Sequence, residues 1–148
     1  MVVVFPSEDA AQVLVFRGAT VEARSAAFEF PRVANYGAAW VETIDVPSNS
    51  RFTIHMRTRQ TCGPGTYDYH FAERRDAWVV SGLDRGESEC SDAGIVPSSK
   101  ASYDFLTGRI LTTAERRGAR PKRSTLKHPF PGFPLASFEA FASRYEVK

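Results

Sequence analysis

The chain has 148 residues, of which 43% are apolar and 24% charged, and its formal net charge is +2. That length suits one domain with a core of its own, and a charge so near zero gives no global pull toward nucleic acid or an anionic membrane. No apolar run approaches the roughly 20 residues needed to cross a bilayer.

In chain order, alternation with period two recurs and helical periodicity is nearly absent. Gln12–Phe16 reads as a strand stopped by Arg17-Gly18. Val21–Phe30 fits either a helix or a strand. Trp40–Val46 alternates, and Pro47-Ser48-Asn49-Ser50 reads as a turn. Arg51–Arg59 puts Phe52, Ile54, Met56 and Thr58 on one face, with Arg51, Thr53, His55, Arg57 and Arg59 on the other. Such a strand has one face on the core and one in water. After the sharp connection Cys62-Gly63-Pro64-Gly65, Tyr67, Tyr69 and Phe71 share a face, with Asp68 and His70 opposite. Glu73-Arg74-Arg75-Asp76 reads as a hairpin turn and Trp78–Leu83 as the returning strand. Residues 84–98 read as a long acidic loop. Ser102–Phe105 and Ile110–Thr113 read as strands about a Leu106–Arg109 turn, and residues 114–134 as a polar, proline-rich segment. Pro134, with Leu135, Phe138 and Phe141 at threefold spacing, predicts a short C-terminal helix. The expectation is a single mainly β domain over residues 1–148. It would be an antiparallel meander of seven or eight strands, as a sandwich or partial propeller-like stack.

Thr66-Tyr67-Asp68-Tyr69 and Ser102-Tyr103-Asp104-Phe105 match in type, 36 residues apart. Either each opens a hairpin of a repeated unit, or aromatic residues simply suit strands.

The two cysteines, Cys62 and Cys90, each lie 14 residues from Asp76. About a hairpin turned there they fall near the open ends of adjacent strands, where a disulfide would clamp them. This predicts an oxidising compartment, periplasmic or otherwise exported. The start, Met1 to Pro6, lacks the length and basic flank of a signal peptide, so export implies a mature or trimmed chain with Met1 added or retained. The competing reading is a cytosolic protein with two free thiols.

Catalytic signatures are missing from the sequence. The histidines are His55, His70 and His128, none in a recognised context. No G-x-S-x-G, H-E-x-x-H, C-x-x-C or phosphate-binding glycine loop occurs. The expectation is a protein that is not an enzyme and needs no cofactor. Asp84, Glu87, Glu89 and Asp92 supply four carboxylates within nine residues, a weak calcium candidate without EF-hand spacing. Arg116, Arg117, Arg120, Lys122, Arg123 and Lys127 form a basic segment opposed only by Glu115. It suits a solvated loop, an acidic protein partner or nucleic-acid phosphates, but lacks the interleaved aromatics of a single-strand platform.

Ser102-Tyr103-Asp104-Phe105-Leu106-Thr107-Gly108, after Tyr67–Phe71 and Trp78-Val79-Val80-Ser81-Gly82-Leu83-Asp84, resembles small exported bacterial β proteins. Those carry an S-x-[ND]-[YF]-L-T-G turn after Y-x-[YF]-x-F and W-x-x-x-G-L-D strands. The resemblance spans about residues 66–113. Some proteins of this kind are periplasmic immunity proteins against cell-wall-degrading toxins delivered by secretion systems; others are lysozyme inhibitors, and some bind calcium. The resemblance implies a binding protein that occludes a secreted toxin or peptidoglycan hydrolase by inserting a rigid loop, with residues 84–98 and 114–128 favoured. It transfers no inhibitory residue. The alternatives are a cell-envelope accessory or structural domain, and a nucleic-acid-binding protein using residues 116–127.

Overall fold

The computed structural model describes residues 2–6, 11–30, 32–33, 37–59, 63–92, 94–114, 120, 122–125 and 132–139. Val2–Pro6 (β1), Ala11–Arg17 (β2) and Thr20–Arg24 (β3) form a three-stranded antiparallel sheet in that order. Arg32–Val33 (β4) and Gly37–Ala38 (β5) make a short separate ladder. The larger sheet comprises Trp40–Ser48 (β6), Arg51–Thr58 (β7), Gly65–Arg74 (β8), Ala77–Ser91 (β9), Gly94–Asp104 (β10), Arg109–Ala114 (β11) and Lys122–Thr125 (β12). Each strand lies beside its sequence neighbours, from β12 at one edge to β6 at the other, and Phe133–Pro134 (β13) adds to β9. All pairings are antiparallel. The chain is a mainly β protein.

The alternation of Arg51–Thr58 is realised as expected: Phe52, Ile54, Met56 and Thr58 are buried. Their face continues through Tyr69 and Phe71 of β8, and Trp78, Val80 and Leu83 of β9. Val13 and Val15 of the small sheet join the same cluster. Phe138 fills the junction, edge-on to Phe28, Tyr69 and Phe71 at centroid distances of 5.3, 5.1 and 5.1 Å. Each such side chain contributes about 1.5–3 kcal/mol by leaving water.

Four expectations change. Residues 84–91 and 94–98 are not a loop; they form the distal halves of β9 and β10. Pro47 does not begin a turn but lies within β6, an edge strand where a missing N–H costs no ladder bond. Within the polar 114–134 segment, residues 122–125 form a strand. The C-terminal helix is, among the described residues, one 3-10 turn at Leu135–Ser137. Phe141 lies outside the described residues.

Two turns and a bulge fix the geometry of the large sheet. Between β8 and β9, Arg75 and Asp76 have φ of 50° and 61°; paired left-handed residues are the geometry that matches hairpin twist. Between β10 and β11, Asp104 Oδ1 accepts the Leu106 and Thr107 N–H groups at 2.9 and 3.1 Å. The Thr107 hydroxyl donates to Oδ2 at 2.6 Å, and Gly108 closes the turn at φ 73°. Ser81 bulges out of the β8–β9 ladder, and its carbonyl takes the Phe105 N–H at 2.9 Å.

Candidate functional site

The large sheet's face opposite the core is polar, and strand registry assembles it. Pairing sets His55 beside Asp68, Asp68 beside Asp84, and Asp84 beside Ser102. His55 Nδ1 lies 2.8 Å from Asp68 Oδ1, and its Nε2 lies 3.1 Å from Asp45 Oδ2 in β6. His70 Nδ1 lies 3.0 Å from Thr53 Oγ1, and its Nε2 lies 3.0 Å from Asp84 Oδ2. Burial alone would push the His55 pKa down, but the hydrogen bond and charge of Asp68, then those of Asp45, outweigh it and leave the pKa raised. Asp84 is held below the ordinary carboxylate value, first by its hydrogen bond to His70, against burial and with help from Ser102. Sequence reasoning placed both histidines, Thr53 and Asp68 on polar strand faces but did not pair them, and it read Asp84 as part of a loop.

Asp84 stands between Gly82 and Gly86 on β9 and borders two hollows. One hollow of about 390 Å³ is bordered by Thr66, Asp68, Asp84, Lys100, Ser102 and Thr113. Another of about 460 Å³ is bordered by Arg51, Thr53, His70, Gly82, Asp84 and Ser102. Thr53, His70 and Asp84 are ordered hydroxyl, imidazole, carboxylate. The N–H groups of a sheet lie in its plane, however, so those around Thr53 do not point into the hollow to hold an oxyanion.

The β9–β10 hairpin is the second feature. The ladder between β8 and β9 ends at Thr66 and Gly86, whereas β9 and β10 stay paired to Ser91 and Gly94. Among the described residues, the far part is a two-stranded arm. Glu89, Cys90, Ser91 and Asp92 are exposed on it, and Ile95 is 60% exposed. A Cβ on Gly63 would lie 2.6 Å from Ile95 Cγ2 and 3.2 Å from Ser88 Cβ, so the connection into β8 rests against this arm. Cys62 lies outside the described residues, among which no free thiol occurs. Ile95 was not singled out from sequence, because residues 84–98 read as an acidic loop.

Asp84 occupies one face of β9, while Glu87 and Glu89 share the other with Arg85, which pairs with Glu87. Strand alternation therefore separates the calcium candidates, with Asp92 at the arm's tip. Among the described residues, no group of three or more His, Cys, Asp or Glu side chains could hold a metal. Of the basic segment, Arg120 is exposed, and Lys122 and Arg123 are exposed on the edge strand β12. Arg116, Arg117 and Lys127 lie outside the described residues.

Scans against protein-family models, curated proteins and solved structures each found no match. The motif carrying the resemblance is accounted for locally by folding. Tyr69, Phe71, Trp78, Leu83 and Phe105 are core, and Asp104, Thr107 and Gly108 build a turn. A Cβ on Gly82 would come within 2.8 Å of the Tyr103 carbonyl oxygen, so glycine permits β10 to approach.

Proposed function

We propose that this protein is an exported, periplasmic binding protein without catalysis of its own, acting as an immunity protein or inhibitor that occludes a secreted toxin or peptidoglycan hydrolase. The observation that carries this reading is the β9–β10 arm, which extends past its β8 neighbour with Ile95 exposed near its tip. A hairpin whose backbone is already paired loses little entropy on entering a cleft. Glu89 and Asp92, exposed on the same arm, suit a cleft with basic walls.

A Cys62–Cys90 disulfide belongs to the same proposal. The last β8–β9 pair, Thr66 with Gly86, lies four residues from each cysteine, and Gly63 rests on the arm that carries Cys90. Such a bond would stabilise the fold by roughly 3–4 kcal/mol in the chain-entropy model. Intact-mass measurement after alkylation of the unreduced protein should show no label; uptake of two labels would remove the argument for export.

The direct test is co-purification from an envelope fraction containing the toxin, followed by mass spectrometry. An enzyme partner is expected, with Ile95→Asp weakening binding at least about tenfold, as for a central anchor. If the basic edge is the contact instead, replacing Arg120, Lys122 and Arg123 by Ser should slow association and lessen its salt dependence. Recovery of nucleic acid, or of no partner, would favour the alternatives.

A further inference from the structure

We propose that His55 is a proton-dependent clasp that ties the edge strand β6 to the interior of the large sheet, so that the order of this edge depends on pH. Each ring nitrogen faces a carboxylate oxygen: Asp68 in β8 on one side, Asp45 in β6 on the other, at 2.8 and 3.1 Å. An ionised carboxylate only accepts hydrogen bonds, and a neutral imidazole carries one N–H. Both contacts are hydrogen bonds together only in the imidazolium. Without the second proton, one ring lone pair faces a carboxylate oxygen. Asp45, whose side chain is 71% exposed against 30% for Asp68, is the partner that water can take over.

The surroundings favour the cation. In β6, Glu42 is engaged by Arg57 of β7 at 2.6 Å, so the guanidinium two residues along β7 from His55 is already paired. In β8, Asp68 faces His55 directly, and Asp84 of β9 stands beyond it. His70, one pair along β8, is engaged by Thr53 and Asp84. A hydroxyl can donate or accept, so His70 satisfies both contacts while neutral. The two histidines thus form a built-in pair of switch and control.

The position gives the clasp its effect. Among the described residues, β6 pairs only with β7, and its register is irregular between Val41 and Thr43 and again between Asp45 and Ser48. The ladder is broken on both sides of Thr43–Asp45, where the clasp attaches. Opening it loosens an edge that also exposes Trp40 and Val46, and an unpaired edge is a template for another strand.

The test is an NMR titration of the imidazoles from pH 5 to pH 9, with hydrogen-exchange protection of the β6 amides measured in parallel. His55 should titrate above the ordinary imidazole value. Protection across Thr43–Val46 should fall roughly 2- to 5-fold through that titration, the scale of a surface ion pair, while that of Val79–Leu83 in β9 stays constant. Asp45→Asn should lower the His55 midpoint and remove the fall, and His70→Gln should leave both unchanged. The proposal is overturned if β6 protection is flat through the His55 titration, or if the fall persists in Asp45→Asn.

Discussion

Thr66-Tyr67-Asp68-Tyr69 and Ser102-Tyr103-Asp104-Phe105 share a pattern and differ in use. In both, the fourth residue is fully buried: Tyr69 and Phe105 are each 0% exposed. The aspartates part ways. Asp68 lies mid-strand in β8 and receives His55 from the neighbouring strand. Asp104 ends β10 and accepts hydrogen bonds from the turn into β11. Only the second segment opens a turn directly; the first runs on to Arg74 before the chain reverses. An aspartate two residues after a strand's Ser or Thr does not fix its own role. The three residues after each segment decide it: Leu-Thr-Gly supplies N–H groups and a left-handed position, whereas His-Phe-Ala continues the strand.

The common part of the comparison carries the largest effects. Tyr69→Ala and Phe105→Ala should each destabilise the protein by about 3–5 kcal/mol, since each leaves a cavity among aromatic rings. Urea denaturation measures this, and a loss below about 1 kcal/mol at either site would break the equivalence. Gly82→Ala tests how closely the two segments' strands are joined, because its methyl meets the Tyr103 carbonyl. A loss of about 1–3 kcal/mol is expected from the forced shift, and an unchanged urea midpoint would mean that β10 yields freely.

The aspartates then separate the segments. Asp104→Ala should cost about 1 kcal/mol, as for a lost cap. Asp68→Asn should cost less than about 1 kcal/mol, the scale of an exposed pair, and should change the pH dependence more than the midpoint. The signs are opposite. Burial works against ionised Asp104, but Thr107, Leu106 and Arg109 prevail and its pKa is lowered. Its contribution is therefore present above the unfolded carboxylate pKa and lost as pH falls through the lower folded value. Asp68 acts through His55, whose pKa is raised. That contribution is full below the unfolded imidazole pKa and lost as pH rises through the folded value. In thermal melts between pH 5 and pH 9, Asp68→Asn should approach the parent as pH rises through the His55 titration, while the deficit of Asp104→Ala persists. A deficit of Asp68→Asn that is undiminished at pH 9 would refute the assignment.

Much of the inner face was legible in the sequence. Phe52, Ile54, Met56, Tyr69 and Phe71 alternate with polar residues, and a half-buried strand demands that period. The Arg75-Asp76 reversal was legible too. The outer halves of β9 and β10 were not. Asp84–Ser91 has no apolar alternation, because beyond the core neither face of the arm needs it, and backbone pairing alone keeps it extended. Lys122–Thr125 was hidden in the same way: charged side chains on an edge strand read as loop, although charge there guards against pairing with other chains.

For the candidate site, the sequence by itself determined which residues face outward. His55, Asp68 and His70 are set by the phase of two strands, since side chains alternate strictly. Which carboxylate meets which imidazole was decided only in the tertiary structure. The Ser81 bulge shifts β9 by one residue, so that Asp84 and not its neighbour faces outward beside Asp68. The irregularity at Glu42 sets Thr43 opposite His55 and leaves Asp45 within reach of its ring. A one-residue slip reverses every side chain of a strand. Bulges answer to packing across the whole sheet, and the local sequence does not contain that information.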